Sequence, residues 1–159
     1  KGRTCISGGR DRQLIAWNFS TIGEEPSYQA SVGQGHDGWI WAIASMHDTI
    51  YSCSWDKTIR SWDINTAGIL PLRTDTLNVQ GALLCVNACP ETNCLAVGSF
   101  CKNVMVIDPR TGTVHTKYQS HHRAVIQVTM NSNYIISASE DRTVVVWDLR
   151  AGQAFKTME

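Results

Sequence analysis

The chain has 159 residues, enough for one domain of ordinary size with a single core. Lysine and arginine number 14, as do aspartate and glutamate, so no basic excess points to a nucleic acid or an anionic membrane surface. No apolar run reaches the about 18 residues that a membrane-spanning helix needs. We therefore expect neither a nucleic-acid partner nor a membrane partner.

The composition favours β-strands, because valine, isoleucine and threonine clearly outnumber leucine and alanine, and β-branched side chains fit a pleated sheet. Alternating runs separated by turn residues predict three groups of four strands. The first group lies at 39–45, 49–54, 58–64 and 69–74. The second lies at 82–88, 94–99, 103–108 and 113–118, and the third at 125–130, 134–139, 143–149 and 153–157. Residues 1–33 contain the last three strands of one further group.

The six cysteines do not form the pattern of a secreted disulfide scaffold. Such scaffolds are typical of chains shorter than about 100 residues, whereas these cysteines lie in strand-like runs such as 51–54. We therefore expect reduced thiols in an intracellular protein of the cytoplasm or nucleus. Cys85, Cys89, Cys94 and Cys101 spread over three strands and a turn, unlike the closely spaced pairs of a zinc site. We predict no metal and no cofactor.

A repeat runs through the whole chain. Intervals of 45, 45 and 40 residues separate Trp17, Trp62, Ile107 and Trp147. Six residues before these positions stand Asp11, Asp56, Cys101 and Asp141. A histidine, His36 or His121, precedes the second and the fourth position by 26 residues. A period of about 40 to 45 residues is typical of a four-stranded propeller blade.

With this spacing and these residues, the chain resembles the WD-repeat propeller family. The resemblance implies an all-β propeller of about three and a half to four blades from a larger ring. Blade 1 without its first strand would cover 1–33, blade 2 34–78, blade 3 79–119 and blade 4 120–159. Closed propellers have about 4 to 8 blades, and an open stack exposes an apolar face and a strand edge. We therefore expect the chain to be a piece of a larger ring.

One set of polar residues imitates a catalytic triad. It comprises His36, Ser52, Asp56 and Trp62 in the second repeat, His121, Ser137, Asp141 and Trp147 in the fourth, and Ser7, Asp11 and Trp17 in the first. A triad occurs once in a chain, and the sequence lacks a G-x-S-x-G motif to expose a serine. We predict instead a structural hydrogen-bond chain from indole to serine, imidazole and carboxylate. We expect no catalytic residue and no enzymatic activity.

The third repeat replaces this set with Val97, Cys101 and Ile107 and has no Gly-His pair. Losing a single partner would leave a buried polar group unpaired at a cost of about 1 to 3 kcal/mol, whereas replacing all partners is nearly neutral. We predict apolar packing in this repeat.

The family resemblance also indicates where a partner binds. In WD propellers the residue before the turn aspartate and two alternate residues at the start of the innermost strand ring the top entrance. These positions are Arg10, Trp39, Trp41, Trp55, Ala82, Leu84, Phe100, Ala124, Ile126 and Glu140. We predict a protein or peptide site at Arg10, Trp39, Trp41, Trp55, Leu84, Phe100 and Glu140.

Trp55 is expected to be the centre of this site, because large rigid aromatic residues carry most of the energy in binding hot spots. Arg10 is expected to pair with an acidic or phosphorylated group of the partner. The alternative for Trp39 and Trp41 is that they fill the space between neighbouring blades.

Four segments, GHDGWIWAIA, YSCSWDKTIRSWDI, LAVGSFCKNVMVIDPRTG and SEDRTVVVWDLRA, resemble the propellers of F-box/WD-repeat proteins. That family supplies substrate receptors to Skp–cullin–F-box ubiquitin ligases, so the resemblance implies target binding here and a Skp–cullin adaptor engaged only through a region outside this chain. One alternative is a WDxR box at 147–150, as in receptors of cullin ligases with a propeller adaptor. A general WD-repeat scaffold is another.

Overall fold

The computed structural model describes residues 3–19, 28–65, 68–76 and 81–159. These residues form fifteen strands and no helix, so the described part of the chain contains no helix that could cross a membrane. In chain order the strands are β1 (Arg3–Gly8), β2 (Leu14–Phe19), β3 (Tyr28–Gly33), β4 (Ile40–Met46), β5 (Thr49–Ser54), β6 (Thr58–Asn65), β7 (Gly68–Thr76), β8 (Leu83–Cys89), β9 (Cys94–Ser99), β10 (Asn103–Asp108), β11 (Thr113–Gln119), β12 (Val125–Met130), β13 (Tyr134–Ser139), β14 (Val144–Asp148) and β15 (Gln153–Met158).

The strands form four antiparallel sheets, which we number 1 to 4: β1–β3, β4–β7, β8–β11 and β12–β15. Within each sheet every strand pairs with the next one in the chain, which is the meander of a propeller blade. The predicted all-β fold of propeller blades is therefore confirmed. Residues 1–2, 20–27, 66–67 and 77–80 of the predicted blades lie outside the described residues.

The predicted strand ends differ from the observed ones by at most two residues. The largest difference is at β7, which extends to Thr76 although it contains Pro71. Proline is tolerated here because β7 pairs only with β6 and the register shifts between Ser61 and Trp62, opposite Pro71.

The hydrophobic core lies between the sheets. The first strands of neighbouring sheets adjoin, since β4 contacts β8 and β8 contacts β12. Three clusters fill the successive gaps, represented by Leu14 and Trp62, by Leu83 and Met105, and by Val125 and Trp147. Each sheet therefore depends on its neighbour for burial of its apolar side chains.

Four equivalent turns define one end of the sheets, which we call the top. They span 9–12, 54–57, 99–102 and 139–142. In each turn the N–H of the last residue donates to the carbonyl of the first at 3.1 to 3.2 Å. The last residue, Arg12, Lys57, Lys102 or Arg142, lies in the left-handed region with φ between 68° and 71°. The third turn shares this geometry although Cys101 replaces the aspartate.

A β-bulge stands beside each of the last three turns. The register shifts between Ile40 and Ala42 in β4, and the same shift in β8 and β12 leaves Trp41, Leu84 and Ile126 as the bulged residues. A bulge redirects the side chain that it carries. The sequence thus places a bulge residue and a turn residue next to each other at the top of sheets 2, 3 and 4.

Candidate partner-binding site

The top of sheets 2 to 4 contains a cavity of about 310 Å³, which we call the top cavity. Its lining consists of Trp39, Trp41, Trp55, Leu84, Phe100, Ile126 and Glu140. Six of the seven predicted partner-binding residues are therefore brought together, and Arg10 lies beside them. Ile126 joins the lining because the bulge of β12 places it where Leu84 and Trp41 stand in the neighbouring sheets.

The three tryptophans form a nearly equilateral triangle. Their ring centroids are 6.3 Å apart for Trp39 and Trp41, 5.9 Å for Trp39 and Trp55, and 6.1 Å for Trp41 and Trp55. Phe100 approaches Trp55 at 5.8 Å. Trp55 therefore contacts three other aromatic rings and occupies the centre of the cluster.

These aromatic side chains are exposed to solvent rather than buried in the core. The exposed fraction is 38% for Trp39, 48% for Trp41, 45% for Trp55 and 51% for Phe100. The alternative that Trp39 and Trp41 fill the space between sheets does not fit this exposure. The cluster is an apolar patch of the kind that marks interaction sites.

Arg10 is held by a neighbouring ring. Its guanidinium carbon lies 4.0 Å from the centroid of Trp39, which is a cation–π contact. Arg10 is exposed, and its pairing with an acidic group of a partner stays a prediction.

Two positions of the predicted ring contribute no side-chain surface. Ala82 and Ala124 stand at the top of their sheets, where their carbonyl oxygens accept hydrogen bonds from the turn N–H groups of Phe100 and Glu140, but both residues are buried. Their side chains are therefore absent from the lining of the top cavity.

The hydrogen-bond chain of the second repeat is continuous. The indole N–H of Trp62 donates to Ser52 Oγ at 2.8 Å, and Ser52 Oγ lies 2.7 Å from His36 Nε2. His36 Nδ1 lies 2.9 Å from Asp56 Oδ2. Since the carboxylate can only accept, Nδ1 carries a proton, and in the neutral imidazole Nε2 then accepts from the serine hydroxyl. Ser52 and Trp62 are both 0% exposed.

The fourth repeat contains the same chain. Trp147 Nε1–H donates to Ser137 Oγ at 2.8 Å, Ser137 Oγ lies 2.7 Å from His121 Nε2, and His121 Nδ1 lies 3.2 Å from Asp141 Oδ2. The partial set of the first repeat keeps the indole-to-serine bond and the bond by which the turn aspartate accepts a backbone N–H two residues later. Trp17 Nε1–H donates to Ser7 Oγ at 2.9 Å, and Asp11 Oδ1 accepts from the N–H of Gln13 at 3.1 Å.

Two threonines belong to these networks and were missed by the sequence reasoning. Thr58 Oγ1–H donates to Asp56 Oδ1 at 2.6 Å, and Thr143 Oγ1–H donates to Asp141 Oδ1 at the same distance. The signal was present, since threonine stands two residues after the turn aspartate in both complete repeats. Gln13 takes that place in the first repeat.

The turn aspartates are held in their ionised form. Burial alone would raise the pKa of the Asp56 carboxyl, but hydrogen bonds from His36 and from the hydroxyl and N–H of Thr58 outweigh burial and lower it well below its ordinary value. For Asp141, burial is outweighed by the hydroxyl of Thr143 and the N–H of His122, and the pKa is again well below its ordinary value.

In sheet 3 the polar chain is replaced by apolar contacts. Val97 and Ile107 are buried in the core between sheets 2 and 3. The turn is tied differently from the others, because Ser99 Oγ accepts from the N–H of Asn103 at 3.3 Å. Cys101 is half-buried.

The cysteines are free thiols. Burial raises the pKa of the Cys85 thiol to about 12, which keeps it protonated at neutral pH. Cys89 donates to the carboxylate of Glu91 at 3.0 Å, and Cys94 to the carbonyl of Thr92 at 3.4 Å. Within the part of the chain that the structure describes, no three residues of metal-ligating type come together.

Comparison with known proteins agrees with this architecture. Residues 28–63 and 112–148 match a family model described as WD domain, G-beta repeat. The chain is 33% identical over 99% of its length to F-box/WD repeat-containing protein 9 from Bos taurus, and 34% identical over 92% to F-box/WD repeat-containing protein mec-15 from Caenorhabditis elegans. It is 36% identical over 64% of its length to Ribosome biogenesis protein ytm1 from Aspergillus niger.

The alignments cover 35%, 38% and 21% of these three relatives, so the chain spans about a third of the length of the F-box/WD relatives that it matches. Two matched repeat segments, four stacked meander sheets and similarity along nearly all of the chain point to one family. The chain therefore belongs to the WD-repeat family of proteins.

Proposed function

We propose that the chain is a protein-interaction domain that binds a peptide or protein segment over the top cavity, across sheets 2 and 3. The observation that carries this proposal is the exposed cluster of Trp39, Trp41, Trp55 and Phe100 in one cavity. WD-repeat domains generally bind proteins, which supports a protein partner.

The layout of the cluster supports an interface with a defined centre. Aromatic residues are enriched in the buried core of interfaces, and polar groups in the rim. Trp55 lies at the centre of the rings, while Arg10 and Glu140 supply charges at the cluster. A bound segment would cover Trp55 and retain polar contacts with these two side chains.

The proposal assigns no catalytic role to the triad-like residues. Ser52 and Ser137 are fully buried, and each hydroxyl oxygen accepts an indole N–H, so neither faces a substrate. It also places the protein inside the cell, in the cytoplasm or nucleus, where free cysteines are the rule.

The finer proposal is that the chain recognises targets for an F-box type ubiquitin ligase. It is supported by similarity to two proteins named F-box/WD repeat-containing, one along 99% of the chain. The Skp–cullin adaptor would then contact a region outside these residues. The coding sequence on the N-terminal side of Lys1 tests this: an F-box there supports the ligase role, and a different domain contradicts it.

Two other functions have some support. The similarity to Ribosome biogenesis protein ytm1 favours a scaffold outside ubiquitin chemistry. The WDxR alternative rests on Arg150, which is exposed and whose N–H donates to Asp148 Oδ1 at 2.8 Å. If the Arg150→Ala variant still binds a propeller-type cullin adaptor, that alternative is contradicted.

Affinity capture tests the binding site. A partner captured with the chain is compared for binding to Trp55→Ala and to Arg110→Ala, a change in the β10–β11 turn at the opposite end of sheet 3. The Trp55 change is expected to weaken binding by about 2 kcal/mol or more, and the Arg110 change to leave it unaltered. Unaltered binding of the Trp55 variant, or loss only in the Arg110 variant, would place the site elsewhere.

A further inference from the structure

The top cavity has room for one side-chain head group. Its volume of about 310 Å³ lies at the lower end of the range for ligand pockets, about 300 to 1,000 Å³. Three of its seven lining residues are tryptophans, the ring that attracts cations most strongly. The three indoles therefore determine which kind of head group the cavity favours.

The spacing of the indoles suits a cation. With centroids 5.9 to 6.3 Å apart, the middle of the triangle lies about 3.5 Å from each ring centroid, so a group slightly above it meets the distance condition of about 6 Å for cation–π attraction, which acts over the ring face, at all three rings. The ring planes are tilted by 35° to 46° to one another rather than stacked in parallel. One cation could thus contact Trp39, Trp41 and Trp55 simultaneously.

The structure already contains such a contact at the edge of the cluster. The guanidinium carbon of Arg10 lies 4.0 Å from the centroid of Trp39. Arg10 is not among the residues that line the cavity. Trp39 is thus shown to accept a cation without Arg10 being part of the lining.

The charge of the lining also favours a cation. Glu140 is the one ionisable residue among the seven lining residues, and the others are aromatic or aliphatic. Glu140 is exposed, so water screens its charge, but the sign of that charge favours a cation over an anion. An acidic head group would be repelled by Glu140, and the lining contains no cationic side chain to pair with it.

The apolar lining discriminates between kinds of cation. The ammonium group of unmodified lysine is compact and strongly hydrated, so it loses much hydration on entering. Alkylation spreads the charge, weakens hydration and adds apolar surface that contacts Leu84, Phe100 and Ile126. An alkylated ammonium therefore matches both the attraction of the indole rings for a cation and the apolar surface of the lining.

We infer that the top cavity binds an alkylated ammonium group, as carried by a methylated lysine side chain of a partner protein, held between Trp39, Trp41 and Trp55 in the cavity that Glu140 also lines. This inference rests on the proposed function and names the side chain recognised by that same site. The competing occupant is an uncharged apolar side chain, which would use the rings but not their attraction for charge.

Tryptophan fluorescence of the intact chain measures the distinction. The probes are three capped pentapeptides, Gly-Gly-X-Gly-Gly, in which X is trimethyllysine, lysine, or the neutral analogue of trimethyllysine with carbon in place of the ammonium nitrogen. The trimethyllysine peptide is expected to bind roughly 5- to 30-fold more tightly than the neutral analogue, and more tightly than the lysine peptide. Equal binding of the charged and neutral peptides, or binding of none of them, overturns the inference.

Two variants link the preference to named residues. Glu140→Gln is expected to reduce the preference for the charged peptide over the neutral one while leaving binding of the neutral peptide unchanged. Trp55→Leu retains an apolar side chain but removes an aromatic face, and is expected to lower that preference further. Near-ultraviolet circular dichroism verifies that both variants fold, and an unchanged preference in both folded variants contradicts the assignment.

The outcomes separate this inference from the proposed function. If a captured partner depends on Trp55 but the peptides show no preference for charge, the binding site stands and the alkylated ammonium is rejected. If capture is insensitive to Trp55, the proposed function is rejected whatever the peptides do.

Discussion

The backbone N–H of Trp55 donates a hydrogen bond of 2.9 Å to the carbonyl oxygen of Trp39. This bond joins the turn between β5 and β6 to the residue before β4. The ring centroids of the two indoles lie 5.9 Å apart. Phe100 and Ala82 repeat the bond at 2.8 Å, and Glu140 and Ala124 at 3.0 Å. The backbone thus provides equivalent positions at the top of sheets 2, 3 and 4, and we expect the side chains there to determine what the site recognises.

Removing a turn aspartate is expected to act on folding. Asp56→Ala and Asp141→Ala each leave a histidine, a threonine and backbone N–H groups without their acceptor, so each should lower the free energy of unfolding by roughly 1 to 3 kcal/mol. Cys101→Ala occupies the equivalent turn and should cost less. Urea unfolding at low protein concentration measures all three, and equal midpoints would contradict the role of the networks.

The same carboxylates should make stability depend on acid pH. The pKa values of Asp56 and Asp141 are lowered in the folded state, so their contribution is fully present above the unfolded value of about pH 4 and is lost as the pH falls toward the lower folded values. An Asp56→Asn, Asp141→Asn variant should therefore be less stable than the wild type at neutral pH.

Urea midpoints measured between about pH 7 and about pH 2 test this. The difference in urea midpoint between wild type and the double variant should shrink below about pH 4. At that pH the wild type loses the stabilisation from its two ionised carboxylates, which the variant lacks at every pH. A difference that stays constant over the whole range would show that ionisation of these carboxyls does not contribute.

Sequence spacing was sufficient to predict the fold and the polar networks. The interval from Trp17 to Trp62 to Ile107 fixes one position in each repeat, and the neighbouring strands follow from it. The partner-binding residues followed from their places relative to that position. Their predicted grouping depended on the family resemblance, because nothing in the alternation of a single strand shows which end faces a partner.

The remaining features depend on interactions that a linear pattern does not encode. The burial of Ala82 depends on tertiary packing, and a bulge at Trp41 depends on the pairing of β4 with β5. The contact of Arg10 with Trp39 joins two different sheets and is determined by side-chain conformations. Only the threonine partners of Asp56 and Asp141 could have been found in the repeat itself.

A close contact between sheets 3 and 4 makes Gly98 difficult to replace. A Cβ atom at Gly98 would overlap Cys85 Sγ and lie 2.7 Å from Val125 Cγ1. Gly98→Ala is therefore expected to destabilise the chain by about 1 to 3 kcal/mol through overpacking. In a Cys85→Ala background, which removes the sulfur, the same change should cost less, and an undiminished cost measured by urea unfolding would assign the strain to Val125.

Sheet 4 has an open apolar face that should drive self-association of this chain. Phe155 is 68% exposed, its ring lies 6.2 Å from that of Tyr134, and Ile136 and Met158 are exposed as well. Apolar surface of this kind, beside an unpaired strand edge, promotes association between molecules. We expect the sedimentation coefficient of the 159-residue chain to rise with concentration.

A matched pair of variants locates the effect. Phe155→Lys places a charge on the open face and should reduce association, whereas Leu72→Lys places the same charge on β7, away from sheet 4, and should not. Both side chains are more than half exposed, so neither change removes a core residue. A monodisperse monomer at all concentrations would contradict the expected self-association. Equal effects of the two lysines would show that the face of sheet 4 does not mediate the association, because Phe155 lies on that face and Leu72 does not.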